Sequence, residues 1–213
     1  MNESNESQWI NIADIMSALM MIFMFIAIAF LYQIMNEKEV YKVQLNKALH
    51  SEFDKDLKNW AAIITSDNII RFNSPFEVGG HDIPDSFSLI LSDFFPRYIQ
   101  LLASSEFKKE IEEIRVEGHT SNGWGTENQK QSYLYNMNLS QKRANNVLSY
   151  CYNIGSEVLH TNILWLQSNL RANGMSFSKL LYNASGNVKT EDKERSRRVE
   201  FRVLTKEHIS SEI

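Results

Sequence analysis

The sequence predicts a membrane-anchored α/β protein: one N-terminal transmembrane helix, a helical connector, and a soluble domain with helices on one face of a small mixed sheet. Three features of the chain point there. From Ile15 to Tyr32 the only polar residue is Ser17. From Asn68 onward, strand-like and helix-like segments alternate. The segment Arg197 to Leu204 (R-R-V-E-F-R-V-L) sets charges against Val199, Phe201 and Val203 with the period of a strand. The 213 residues suffice for one ordinary domain and an appendage. The expected organisation is a short tail over 1–8, a membrane helix over 9–34, a connector over 35–66, the folded domain over 67–206 and a tail over 207–213.

Extending the apolar run back to Ile10 adds Asn11 and Asp14. The stretch then has the length a spanning helix needs, about 20 residues at about 1.5 Å each. Trp9 and Tyr32 stand at its ends, where amphipathic rings prefer to sit. A cleavable signal peptide needs a basic start, and residues 1–8 hold no Lys or Arg. A buried core helix is the second rival, and the run of Met, Phe and Ile on every face argues against it in a chain of this size. Asp14 is the unusual residue. At helical spacing it shares a face with Ser17, Ala18 and Met21, small enough in part to admit a second helix. Two readings fit. The acid lies about one turn inside Trp9, so it can reach water or cap the helix. Alternatively, it binds and releases a cation, usually a proton, at a helix–helix interface, with desolvation raising its affinity for that proton.

Asn36 to about Ala62 reads as an amphipathic helix. Its apolar set is Val40, Val43, Leu45, Ala48, Leu49, Phe53, Leu57 and Trp60. Such a stripe needs a cover, either a second copy of the chain or its own domain. In the domain, Asn68 to Asn73 reads as a strand, followed by a loop through Pro75 and Gly79-Gly80. Pro84-Asp85-Ser86 opens a helix built on Leu89, Leu91, Phe94, Phe95, Ile99 and Leu102, which Pro96 is expected to kink or split. Ile111 to Gly118 is a second strand. Asn138 to Ile154 is a helix, with Ser140 near its start and Gly155 at its end. Leu159 to Leu170 is a further helical run, and Arg197 to Leu204 closes the sheet.

Composition removes several function classes. The net charge of −4 gives no broad basic surface for nucleic acid. Cys151 is the single cysteine, set in a helical run, so it reads as a packed, inert thiol without zinc spacing around it. His119, Ser121 and Asp192 are not spaced as a triad, and G-x-S-x-G, H-E-x-x-H and phosphate-loop patterns are missing. The expectation is a protein that is not an enzyme and uses no metal or cofactor.

The run W-I-N-I-A-D-I-M-S-A-L-M-M-I-F-M-F (Trp9 to Phe25) resembles the start of the MotB-type B-subunits of flagellar stators, through Ala13, Asp14, Met16, Ser17, Ala18 and Met20. That resemblance implies an ion-carrying Asp14 with Ser17 beside it. V-E-G-H-T-S (Val116 to Ser121), N-L-S-Q-K-R-A (Asn138 to Ala144) and S-R-R-V-E-F (Ser196 to Phe201) resemble the three signatures of the OmpA-C-like peptidoglycan-binding domain. This resemblance covers about Ile69 to Leu204 and implies an α+β sandwich. It implies a wall-binding site drawn from His119, Thr120, Ser121, Asn138, Leu139, Ser140, Arg143, Arg197 and Arg198. In that family an acid after G-H-T and the arginine before the helical Ala hold the amine and carboxylate of diaminopimelate. The arginine maps to Arg143, whose fork suits a carboxylate. The acid position holds Ser121, a neutral hydrogen-bonding group. The segment Asn122 to Met137 carries Trp124, Glu127, Tyr133 and Tyr135, which could supply a substitute acid or an aromatic wall. Read from the residues alone, His119 also suits a structural strand end and Arg143 a helix salt bridge. Arg195, Arg197 and Arg198 suit a solvated strand end equally well.

The H-T-S form, the Trp-containing insert and N-M-x-L-S-Q-x-R-A together resemble the ZorB family, stator-like subunits of the Zorya anti-phage defence system. The resemblance implies a multi-span A-type partner (ZorA/MotA-like), about five copies around two of this chain. It also implies a self-dimer, peptidoglycan as ligand, and transport of H⁺, with Na⁺ equally compatible. Location would be the bacterial inner membrane, N-terminus cytoplasmic and domain periplasmic. The positive-inside rule points the other way, since Lys38, Lys42 and Lys47 follow the span, but long domains translocate despite their charge. A flagellar stator subunit and a passive wall tether are the alternatives.

Overall fold

The computed structural model describes residues 3–73, 75–183 and 189–206. The predicted tail over 207–213 lies outside the described residues. The chain divides into two compact units, 1–44 and 45–213. The first helix, α1 (Glu3–Leu57), begins in the first unit and ends in the second.

In the first unit, every side chain from Ile12 to Asn36 is exposed, Met, Phe and Ile included. The part of it from Met16 to Tyr32 is apolar apart from Ser17, and an exposed apolar surface of that length is costly in water and requires a cover. Among the described residues this is the one helix long and apolar enough to cross a membrane.

The second unit is a mixed sheet with helices packed on it. Its strands are β1 (Ala62–Ile64), β2 (Ile69–Asn73), β3 (Ile111–His119), β4 (Leu170–Gly174) and β7 (Arg198–Thr205). The spatial order is β1-β2-β7-β3-β4, antiparallel except for the β3–β4 pair. A small hairpin pairs β5 (Tyr182–Asn183) with β6 (Thr190–Glu191). The helices are α2 (Asp85–Leu102), α3 (Gln129–Tyr152), α4 (Glu157–Thr161), α5 (Ile163–Asn169) and α6 (Lys193–Ser196).

Residue alternation puts Ile70, Phe72, Ile114, Val116, Val199 and Phe201 on one face, all buried. Phe94 of α2 lies edge-on to Phe72 at 5.2 Å and to Phe201 at 5.0 Å. Such aromatic pairs add to the burial term that dominates the core. Two glycines let α3 lie flat on the sheet. A Cβ on Gly118 would strike the Ser140 carbonyl oxygen, and one on Gly174 would come within 2.6 Å of the Gln141 nitrogen.

The last turns of α1 belong to this domain. Leu45, Leu49 and Phe53 recur every fourth residue and are buried. Arg97 of α2 ties them down, bonding Glu52 at 2.8 Å, Asp56 at 3.0 Å and Asp93 at 3.1 Å. Its guanidinium stands 5.1 Å from the Phe53 ring centre. The apolar stripe of the connector is thus covered by its own domain from Leu45 onward, whereas Val40 and Val43 remain exposed.

Several elements differ from the sequence expectation. Helix α3 starts at Gln129, not Asn138, and its cap is Asn128, whose side chain accepts from the Gln131 N–H at 3.0 Å. The buried residues before Leu139 are Ser132 and Asn136, both polar, so hydrophobic periodicity is silent over that part of the helix. The run Leu159 to Leu170 is not one helix. It breaks at Asn162 between α4 and α5, and Leu170 already opens β4. That strand is half-exposed and lacks β-branched residues, which hides it. Helix α2 runs through Pro96 unbroken. The carbonyl that Pro96 leaves without a donor belongs to Ser92, on an exposed position where water reaches it.

Candidate functional site

Asp14 and Ser17 lie in the exposed apolar stretch of α1. Asp14 has no ion-pair partner among the described residues. An acid so placed needs a proton, a cation or a donor from another chain once lipid surrounds it.

The three signature segments meet at one end of the sheet. His119 closes β3 opposite Arg198, which opens β7. Gly118 sits under Ser140 of α3. Ser176, in a left-handed conformation (φ 50°), joins them: its carbonyl accepts from the Thr120 N–H at 2.9 Å, and its N–H donates to Ser140 Oγ at 2.9 Å. Thr120 is buried, and its hydroxyl finds no hydrogen-bond partner.

Arg143 projects from α3 under the loop before α2. Its Nε donates to the Gly80 carbonyl at 2.8 Å and its Nη2 to the Glu77 carbonyl at 2.9 Å. Its guanidinium lies 5.0 Å from the Phe76 ring centre. Burial, then the nearby Arg197 charge, brings this group down to about 10, so it stays a cation at neutral pH. Arg197 is half-buried, and its Nε is buried without a hydrogen-bond partner. Neither guanidinium meets a carboxylate among the described residues. Two adjacent cations without an acid suit a ligand carboxylate. Beyond Thr120, Ser121 is half-buried, and the next N–H, that of Asn122, donates to Glu191 Oε1 at 2.9 Å.

The opposite face of the sheet holds a separate buried charge network. Glu200 Oε1 accepts from Arg71 Nε at 2.8 Å and Arg198 Nε at 2.6 Å. Arg202 stands 3.1 Å from Glu117, and His119 Nε2 lies 3.4 Å from Glu200 and 3.6 Å from Glu117. Burial alone pushes the Glu200 carboxyl up, but the approach of His119 and Arg198 outweighs it and holds the group well below its ordinary 4.5. Burial likewise works against the Glu117 charge, and His119 and Arg202 prevail, leaving it lowered. Glu117, His119 and Glu200 bring donor atoms within 4.8 Å of one another, close enough for a metal ion. Charge favours another reading. Three guanidinia already face two carboxylates, and a dication would add to that surplus.

The OmpA family model matches residues 76–202, which include Arg143, Arg197 and the three signature segments. Over nearly the whole chain, the sequence is 39% identical to the Zorya protein ZorB of Escherichia coli (strain Crooks), across 95% of this chain and 90% of that one. The chain belongs to the ZorB family. A second ZorB, from Escherichia coli O139:H28, is 27% identical over 95% of this chain and 82% of its own length. Among solved structures, this ZorB-family chain is similar to the cell wall anchor of the T6SS from Pseudomonas aeruginosa. Identity there is 21%, covering 74% of this chain and 96% of that one, with a TM-score of 0.47. It is also similar to the periplasmic domain of Helicobacter pylori MotB, at 16% identity over 67% and 86% of the two chains, TM-score 0.44.

Of the residues singled out from the sequence, Thr120, Ser121, Arg143 and Arg197 gather at one place. Ser140 supports them from α3, and Leu139 is buried in the core. His119 and Arg198 point into the charge network on the other face. Asn138 is exposed on α3. In this member of the ZorB family Arg143 is surrounded by Phe76 and the Glu77 and Gly80 carbonyls, and the residue after Ser121 meets Glu191. Nothing local marks Glu191, which arrives on a two-residue strand and bonds a residue 69 positions away.

Proposed function

We propose that this chain is the peptidoglycan-anchored subunit of a proton-driven inner-membrane motor of the Zorya defence type. Asp14 carries the ion, and the OmpA-like domain holds the subunit to the wall. The observation that carries this reading is a single acid, Asp14, in a stretch from Ile12 to Tyr32 whose other side chains are all exposed and, Ser17 apart, apolar. Membership of the ZorB family supports it. One span cannot enclose an ion path, so a multi-span A-type (ZorA/MotA-like) partner must complete it, about five copies around two of this chain. Ser17, one turn from Asp14, offers a neutral hydroxyl compatible with H⁺ or Na⁺. Protonation removes the charge of Asp14 and changes what its helix tolerates beside it. That is the cycle a rotating partner requires. The domain works from the periplasm with the N-terminus in the cytoplasm. Its purchase is the pair of acid-free guanidinia, Arg143 and Arg197, at the wall-facing site.

The test is Asp14→Asn in a strain carrying the full defence locus. Phage plaquing is expected to rise to the level of a strain lacking the locus, while the variant still co-purifies with its multi-span partner. A passive wall tether predicts protection unchanged, and that result would overturn the ion-carrying role.

A further inference from the structure

The wall site is charged on one side by arginines, and a ligand held only by its carboxylate would leave its amine unmatched. Ser121 offers no charge there. Hairpin β5–β6 brings one. Glu191 faces the Asn122 N–H at 2.9 Å, one residue beyond Ser121. The hairpin is held against the domain at its base. The Asp192 N–H donates to the Leu181 carbonyl at 2.8 Å, and the Leu181 N–H donates to Ser196 Oγ at 3.0 Å. Asp192 then caps α6, accepting from the Arg195 N–H at 3.0 Å, so the segment from Glu191 to Arg197 is held at both ends. Glu191 makes no ion pair with any described residue and is half-exposed, so one carboxylate oxygen remains for a ligand. Thr120, two residues before Asn122, is 3% exposed with its hydroxyl unpartnered. Arg197, six residues on from Glu191 in the same tethered segment, keeps a buried Nε without a partner beside the Arg143 charge, so the segment carries both an unpaired acid and an unpaired cation, the two charges of a zwitterionic amino-acid end.

We propose that Glu191 is the ammonium-binding acid of the wall site, taking the role for which Ser121 lacks a charge. Arg143 and Arg197 take the carboxylate of the same diamino acid. This rests on the wall-binding reading above. The acid comes from a strand far along the chain, so the charge pattern is rebuilt in space without being present in the G-H-T-S motif.

The test measures binding of detergent-solubilised full-length chain to an N-terminally acetylated stem tripeptide ending in meso-diaminopimelate, and to the same peptide with the remaining diaminopimelate amine also acetylated. Glu191→Gln keeps the acceptor for the Asn122 N–H and removes only the charge. Affinity for the free-amine peptide is expected to fall about tenfold, as expected when a charged hydrogen bond becomes neutral. The doubly acetylated peptide should bind wild type and variant alike. Ser121→Asp in the Glu191→Gln background should restore binding of the free-amine peptide. Equal binding of that peptide by wild type and Glu191→Gln overturns the role of Glu191, while Arg143→Ala still losing it leaves the wall reading standing. Wild type that binds neither the peptide nor purified sacculi overturns both.

Discussion

Glu200→Gln keeps the shape of a buried carboxylate and removes its charge. Glu200 is 1% exposed and its Oε1 takes the Nε–H groups of Arg71 and Arg198. In the variant, Arg198, itself 2% exposed, has no remaining ion-pair partner. Half of the new amide also presents donors to donors. Removing one partner of a buried pair costs about 3–5 kcal/mol, mostly as the penalty of the stranded charge. At roughly 2–4 °C per kcal/mol for a domain of this size, the melting temperature should fall by roughly 6–20 °C. The assay is tryptophan fluorescence on heating of the purified full chain, with Trp60, Trp124 and Trp165 reporting on the domain. The double variant Arg198→Met with Glu200→Gln should recover part of the loss, because it removes the stranded cation along with its partner. The pH dependence follows from the same network. The folded Glu200 carboxyl is held well below its ordinary 4.5, so its contribution is present above about pH 4.5 and is lost as the pH falls toward the depressed folded value. The gap between wild type and variant should therefore narrow in acid. A variant melting within about 3 °C of wild type at neutral pH, or a gap constant down to about pH 2, would refute the reasoning.

Gly118→Ala should destabilise the domain by about 1–3 kcal/mol, since its Cβ meets the Ser140 backbone and neither strand nor helix can yield freely; urea unfolding measures this. Cys151 is fully buried, and burial raises its thiol well above 9.0. It should resist iodoacetamide in the folded protein and react once urea unfolds it, as mass spectrometry will show.

Local pattern was enough for part of this molecule. The candidate membrane helix is legible because a span needs a long apolar run, and that run is written from Ile15 to Tyr32 with only Ser17 interrupting it. Strands β2, β3 and β7 are legible because their faces alternate, and the ends of β2 and β3 match expectation closely. Arg143 is legible because its motif surrounds it. The start of α3 before Leu139 is not, because its buried residues there are polar, and Ser132 and Asn136 belong inside only once Glu127, Gly123 and the neighbouring backbone accept their hydrogen bonds.

The sequence by itself determined the long apolar helix that holds Asp14 and the alternating helices and strands of the domain. Only the tertiary structure decided three things. It turned Arg198 and His119 away from Arg143 into a buried network with Glu200. It assigned the connector from Leu45 onward to the folded domain. It brought Glu191 to the side of Ser121. The physical reason is common to all three. A charge or a half-exposed strand has no preferred environment of its own, and its place is set by the partner that folding delivers.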